Sequence, residues 1–197
     1  MGVPTAKAGP VAIPHSRILE IGCGRAKSPD AFGLDVIALP EVDLVHDLDV
    51  MPWPLPSGHF ERVIALDVLE HLTDMVGAVK EIHRVLAPGG TALVRMPFAG
   101  SVHHLTDPTH RRAATSRTFD YFIEGGSFRK YEYTPVLFRL ARFRYIRGYP
   151  VSDWLSFVPR QVDKLMIPLL SRMRDTYEHF LTGYYPMHDI EFELVRI

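Results

Sequence analysis

The sequence predicts an α/β fold built on a mostly parallel, twisted sheet, and three observations carry that expectation. Apolar runs of strand length recur at Arg17 to Ile21, Ala31 to Asp35, Val42 to His46, Arg62 to Leu66 and Thr91 to Met96. Ile18, Leu19 and Ile21 are apolar without strict alternation, as a strand covered on both faces requires. A helix-period segment between the fourth and fifth runs makes a βαβ unit.

Size and composition fit one domain. The chain has 197 residues, 47% hydrophobic and 23% charged, enough to bury a core without a disulfide or metal staple. A formal net charge of −1 gives no global field for polyanions, so general nucleic-acid binding is not expected. The single cysteine, Cys23, excludes an internal disulfide and fits a reducing compartment. No run reaches the eighteen or so apolar residues of a membrane span, and Met1 to Ser16 lacks the basic-then-apolar order of a signal peptide. A cytoplasmic protein with no membrane partner is expected; nothing in the sequence sets an oligomeric state. Residues 1–16, with Pro4, Pro10 and Pro14, read as a flexible N-terminal arm ahead of a domain at 17–197.

Taken in order, the first run ends in the turn Gly22-Cys23-Gly24, whose glycines let backbone approach a ligand. Only Arg25 to Ala31 separate that turn from the second run, whereas a parallel crossover takes about a dozen residues or more. The first crossover helix is therefore shortened or absent. Three prolines in Met51 to Gly58 make a stiff loop before the fourth run. The helix then starts at the N-cap Asp74 and carries Met75, Val79, Ile82 and Leu86 on one face, with Lys80, Glu81 and Arg84 facing water, before Ala87-Pro88-Gly89-Gly90 stops it. Beyond the fifth run, helices are expected at Ser116 to Ile123, at Pro135 to Arg142, and at Val162 to Leu181 with a break at Pro168. Strands are expected at Arg144 to Tyr149 and at Asp189 to Ile197, where Ile190, Phe192 and Leu194 alternate with Glu191 and Glu193.

Glu20, Asp35, Asp47 and Asp67 stand at the ends of the first four runs. In open α/β sheets the ligand lies at that edge, and buried carboxylates without partners are costly, so a ligand rich in donors is indicated. Dinucleotides and S-adenosylmethionine both fit. The dinucleotide fingerprint needs a third glycine where Lys27 stands, which disfavours a nicotinamide-dependent oxidoreductase.

The series Leu19-Glu20-Ile21-Gly22-Cys23-Gly24, Leu34-Asp35, His46-Asp47-Leu48, Ala65-Leu66-Asp67-Val68-Leu69-Glu70-His71-Leu72 and Glu81-Ile82-His83-Arg84-Val85-Leu86-Ala87-Pro88-Gly89-Gly90 resembles class I S-adenosylmethionine-dependent methyltransferases. Asp107-Pro108-Thr109-His110-Arg111-Arg112, followed by Thr118-Phe119-Asp120-Tyr121-Phe122, resembles a subgroup of small methyltransferases with that signature after the fifth strand. The resemblance implies a three-layer Rossmann-like methyltransferase fold whose last strand, Asp189 to Ile197, runs antiparallel. It implies S-adenosylmethionine as cofactor and methyl transfer to an acceptor, here a small molecule. Glu20 and the backbone of Gly22 and Gly24 would hold the methionine moiety beside a small buried Cys23. Asp35, followed by Val36, would accept from the ribose; Asp47 and Leu48 would flank adenine; Asp67 and Val68 would form the strand-four wall. Arg25 or Lys27 would replace the missing helix terminus as counter-charge to the cofactor carboxylate.

Methyl transfer from a sulfonium is an in-line displacement with a neutral leaving group, so alignment is the protein's main task and a base is needed only for a protonated acceptor. His103, His104 and His110 follow the fifth run, within residues 98–160, which read as an acceptor-side lid. His110 is the first choice for orienting or deprotonating the acceptor, with Asp107 as partner and His104 nearby. The alternative, that Asp107 and Thr109 cap a turn and His110 bonds backbone, stays open. No metal site is expected, because no clustered ligands complete one around these histidines. Glu70-His71 reads as a helix entry, and the later aromatics as core with a minority lining the acceptor pocket. Arg111, Arg112, Arg117, Arg139, Arg142, Arg144 and Arg147 read either as an anion-binding group or as a solvated face. A non-catalytic module that binds the cofactor for regulation is the rival from another class.

Overall fold

A computed structural model describes residues 16–148 and 160–197. The N-terminal arm, Tyr149 and the end of the expected lid lie outside the described residues. Seven strands form one sheet: β1 Ile18–Ile21, β2 Phe32–Asp35, β3 Leu44–Val45, β4 Phe60–Leu66, β5 Leu86–Pro97, β6 Phe138–Ile146 and β7 Asp189–Arg196, in the order β3-β2-β1-β4-β5-β7-β6. Pairs from β3 to β5 are parallel, and β7 runs antiparallel to both β5 and β6. The order reverses at β1, so its C-terminal turn opens at the switch point where ligands bind.

No helix joins β1 to β2. The crossover instead lies flat on β2: a Cβ on Gly33 would meet Lys27 Cδ at 2.6 Å and Cys23 Sγ at 2.7 Å, so only glycine fits. Glu20 accepts from the Ser28 amide at 2.6 Å, and Asp43 accepts from Gly33 N–H and Lys27 Nζ at 2.7 Å each. Side-chain carboxylates thus satisfy backbone that a crossover helix would satisfy internally.

Helix α1, Met75–Val85, starts where the sequence places it, with the Asp74 carboxylate accepting from Gly77 N–H at 2.8 Å. Met75, Val79 and Ile82 are buried, each worth about 1.5–3 kcal/mol. Glu81 does not face water as expected. It is buried, accepts from Trp53 N–H at 2.7 Å and is clasped by Arg84, whose guanidinium also reaches the carbonyls of Trp53 and Leu55. The three prolines leave the loop few backbone donors of its own, and this ion pair fastens it to α1.

Three expectations in the second half fail. Residues 116–123 form consecutive turns rather than a helix. Residues 138–142, expected as part of a helix, belong to β6, where a bulge between Leu140 and Arg142 gives Phe138, Leu140, Phe143 and Tyr145 a mixed spacing that imitates helical periodicity. Helix α3, Arg160–Arg172, runs through Pro168, which is exposed, so the carbonyl left without a donor faces solvent. The break comes at Met173, followed by the short α4, Arg174–Thr176, and a wide turn at Tyr177–Leu181. Part of the 98–160 segment is therefore sheet.

The core is continuous from Leu19 and Val63 through Ile82 and Val94 to Phe119, Phe138, Tyr145 and Phe192. No helix among the described residues is long and apolar enough to cross a membrane.

Candidate functional site

At the C-terminal edge of β1 to β4 lies a cavity of about 370 Å³, within the usual range for small-molecule sites. Of the residues read as cofactor-binding, Gly22, Asp35, Val36, Asp47, Leu48, Asp67 and Val68 line it; Glu20, Cys23 and Gly24 do not. Gly22 has φ +63°, and a Cβ there would strike Val68 Cγ2 at 2.5 Å, so the turn presses directly on the strand-four wall. Asp35, at the end of β2, is buried and accepts from Gly24 N–H through Oδ2 and from Ile37 N–H through Oδ1, each at 2.9 Å. The glycine turn and the second strand end are thus held by one carboxylate.

The strand-end carboxylates are not left for a ligand alone to satisfy, as the sequence reading supposed. Glu20 is taken up by Ser28, Asp47 accepts from Asp49 N–H at 2.9 Å, and Asp67 is gripped by Arg95 of β5 through Nε at 2.9 Å and a second, shorter contact. Asp67 sits at φ +55°, a strained conformation for a residue with a Cβ, which sets its direction off the end of β4. Of the two proposed counter-charges, Lys27 is bound to Asp43. Cys23 is buried beside Asp35 and Glu20; burial first, then those charges, push its thiol up to about 11, so it is no nucleophile.

Sequence reasoning missed Asp49, His71 and Leu72, which also line the cavity. Asp49 accepts from Thr73 N–H and Asp74 N–H at 2.9 and 3.0 Å, tying the loop after β3 to the entry of α1. Burial raises its carboxyl, but those donors outweigh it and hold it below the usual range.

Beside the cavity, two segments far apart in sequence pack together. The Asp107 to Arg112 stretch packs on the Glu70 to Thr73 turn, with Arg111 N–H donating to Glu70 O at 2.9 Å and Arg111 Nε and Arg112 donating to the carbonyls of His71 and Thr73 at 3.1 Å each. Asp107 does cap a turn, accepting from Thr109 N–H at 2.8 Å, and His110 Nδ1 does bond backbone, His104 O at 3.1 Å. The bland alternative is thus present in the geometry. Yet His110 Nε2 also lies 4.0 Å from Glu70 Oε1 and 3.9 Å from Asp107 Oδ2, and the His71 and His110 rings meet at 4.8 Å. Glu70, read as a helix entry, is fully buried, and neither carboxylate oxygen has a hydrogen-bond partner within the protein. Burial first, then Asp67 and Asp189, push its carboxyl up to about 8. His104 stacks parallel to His110 at 6.1 Å.

Four of the seven arginines are taken up by carboxylates of the protein. Arg117 pairs with Asp175 and Asp120, Arg142 with Glu193, Arg144 with Glu191 and Arg147 with Asp163. The later aromatics likewise leave the cavity alone: Phe119, Phe138 and Tyr145 are core, and Tyr121, Phe128, Tyr131 and Tyr133 stack on one another. A larger hollow of about 780 Å³ lies between β6 and α3, lined by Phe143, Lys164 and Arg172 among others, and includes none of the strand-end residues.

Comparison with known proteins gives the family. A family model described as a methyltransferase domain matches residues 4–139. The chain belongs to this methyltransferase-domain family. A probable S-adenosylmethionine-dependent methyltransferase of Mycolicibacterium smegmatis is 30% identical over 132 residues, covering 56% of this chain and 51% of its own length. Sterol 24-C-methyltransferase of Aspergillus fumigatus is 36% identical over 64 residues, 32% of this chain and 17% of that protein. The chain thus spans about half or less of the length of these curated relatives. Among solved structures, an S-adenosylmethionine-dependent methyltransferase from Archaeoglobus fulgidus superposes with a TM-score of 0.59 over 92% of this chain and 86% of that one, at 15% identity. In this methyltransferase domain the Rossmann-like sheet with its reversed last strand is as the sequence predicted.

Proposed function

We propose that the chain is an S-adenosylmethionine-dependent methyltransferase acting on a small-molecule acceptor. The observation that carries the reading is the cavity at the switch point, where the Gly22 turn, Asp35, Asp47 and Asp67 converge. The residues fit the cofactor: Gly22 leaves no room for a side chain between the turn and Val68, which marks a wall built for close approach. Asp35 would bind the ribose hydroxyls, because its backbone bonds use one lone pair of each oxygen and leave acceptor capacity. Leu48, Val68 and Leu72 would enclose the adenine. The Gly22 turn would hold the methionine end, with Arg25, which carries no ion pair among the described residues, facing its carboxylate. Glu20 acts through Ser28, fixing the crossover rather than touching the cofactor.

The cofactor supplies an electrophilic methyl and a neutral leaving group, so the chain's work is alignment and exclusion of water. His110, His104 and Asp107 would form the acceptor-side group, with His110 Nε2 to orient the acceptor or take its proton. Residues 98–118 form the acceptor-side cover.

Calorimetric titration with S-adenosylmethionine, followed by transfer of labelled methyl into a cell extract, tests the reading. Binding in the micromolar range with label in a low-mass product is expected. Binding without turnover would sink the enzymatic part. Unchanged affinity in Asp35→Ala would overturn the placement of the site.

A further inference from the structure

We propose that Glu70, His71 and His110 form a binding site for a divalent transition-metal ion of the zinc class. The hydrogen-bond directions occupy Nδ1 of both histidines and leave Nε2 as the ring nitrogen free to ligate. Thr109 has one hydroxyl proton, and it donates that proton to Asp107 Oδ1 at 2.6 Å, because a carboxylate only accepts. The contact of 2.9 Å between Thr109 Oγ1 and His71 Nδ1 must then run from the imidazole N–H to the hydroxyl oxygen. His110 Nδ1, 3.1 Å from the carbonyl of His104, must likewise donate. Both rings therefore carry a proton on Nδ1, so a lone pair available to a metal ion sits on Nε2.

His110 Nε2 turns that lone pair toward Glu70 Oε1 at 4.0 Å, and one ligand atom from each of Glu70, His71 and His110 lies within 4.8 Å of the others. Glu70 is 0% exposed, and both its oxygens lack a partner in the protein. With Glu70 ionised, three acceptors converge. A buried carboxylate in that position needs a cation, and two imidazoles with one carboxylate suit zinc and its neighbours rather than magnesium or calcium.

The outer contacts have the form that supports such sites. Each histidine donates its other ring nitrogen, one to a carbonyl and one through Thr109 to Asp107, which fixes the ring and raises ligand basicity. Zinc–nitrogen bonds of about 2.0–2.1 Å place tetrahedral ligand atoms about 3.4 Å apart, so the three groups draw in by roughly an ångström when the ion binds. Three protein ligands leave a coordination position open, and with the ion bound His110 Nε2 is its ligand and no longer a base, so orienting the acceptor would pass to that open position. His71 also lines the strand-edge cavity, so the site adjoins it.

The test uses the full chain, stripped with chelator and titrated with Co²⁺ and then Zn²⁺ in the absence of any cofactor. One equivalent of Co²⁺ with the visible absorption of a low-coordinate site, displaced by Zn²⁺, is expected. Glu70→Gln should weaken binding at least tenfold, and Thr109→Val, which touches only the outer contact, by about 10–100-fold. Circular dichroism shows whether each variant folds; should Glu70→Gln fail, Thr109→Val carries the test. Absence of a stoichiometric site in the wild type, or equal affinity in wild type and both folded variants, overturns the proposal and leaves a shared proton as the cluster's occupant. Because cofactor is left out, that failure says nothing about S-adenosylmethionine binding, and loss of cofactor binding says nothing about the ion.

Discussion

Two buried carboxylates only a short distance apart along the same sheet edge are treated in opposite ways. Asp35 is almost wholly buried and fully employed, with Gly24 and Ile37 amides on its two oxygens. Glu70 is more deeply buried and has nothing. Burial costs both side chains their hydration, and Asp35 recovers that cost in charge-assisted bonds that shape the glycine turn. Glu70 does not, and burial instead pushes its carboxyl up to about 8, toward the neutral form. The Asp35 edge is thereby tied down by the protein itself, whereas the Glu70 edge is left without a hydrogen-bonding partner until it binds a proton or a cation.

The largest effect that separates the two belongs to Asp35. Asp35→Ala should lower S-adenosylmethionine affinity at least 100-fold by calorimetry and cost about 1–3 kcal/mol in urea unfolding, since the Gly24 and Ile37 amides lose their acceptor. Glu70→Gln should move the unfolding midpoint by less than about 0.5 kcal/mol at pH 7, because burial already pushes that carboxyl up to about 8 and the amide mimics its neutral form. Equal losses in both variants would erase the distinction.

Gly22→Ala comes next. The Cβ would lie 2.5 Å from Val68 Cγ2, and the residue sits at φ +63°, so a loss of about 2–3 kcal/mol is expected by thermal unfolding. Val68→Ala in the same chain should relieve the clash and leave the conformational part, about 1 kcal/mol. Full recovery would mean the turn is less constrained than the carboxylate side requires.

The smallest effect is in pH dependence, and it separates the flanks by window. Burial first, then His103 and Arg147, hold His188 below its ordinary 6.5, so the unfolded chain binds a proton there that the folded chain resists. Stability is lost through His188 as pH falls from about 6.5, and His188→Gln should flatten that slope. Asp49 is held below 3.8 on the cofactor side, so its contribution is complete above that value and disappears only as pH falls through the lower, folded-state range. Two separated acid steps in a denaturant series would bear out the contrast; one merged step would count against it.

Much of this was legible beforehand. The strand ends, the Asp74 cap and the absent first crossover helix follow from local patterns, because a strand or helix declares its period within a few residues. The sense of Glu81 was not legible: an acidic residue on an amphipathic helix reads as solvated until the loop that needs it is folded onto it. Nor was β6, whose bulge breaks the alternation that marks a strand.

By itself the sequence determined the sheet's leading half, the switch point at Gly22 and the carboxylates around it, since each depends on neighbours along the chain. Only the tertiary structure decided which of those carboxylates the protein satisfies internally, and that Glu70, His71 and His110 meet. Their meeting requires β5 and α2, Val102–Thr106, to carry the chain out and back over the Glu70 turn, a long-range return that no local period encodes.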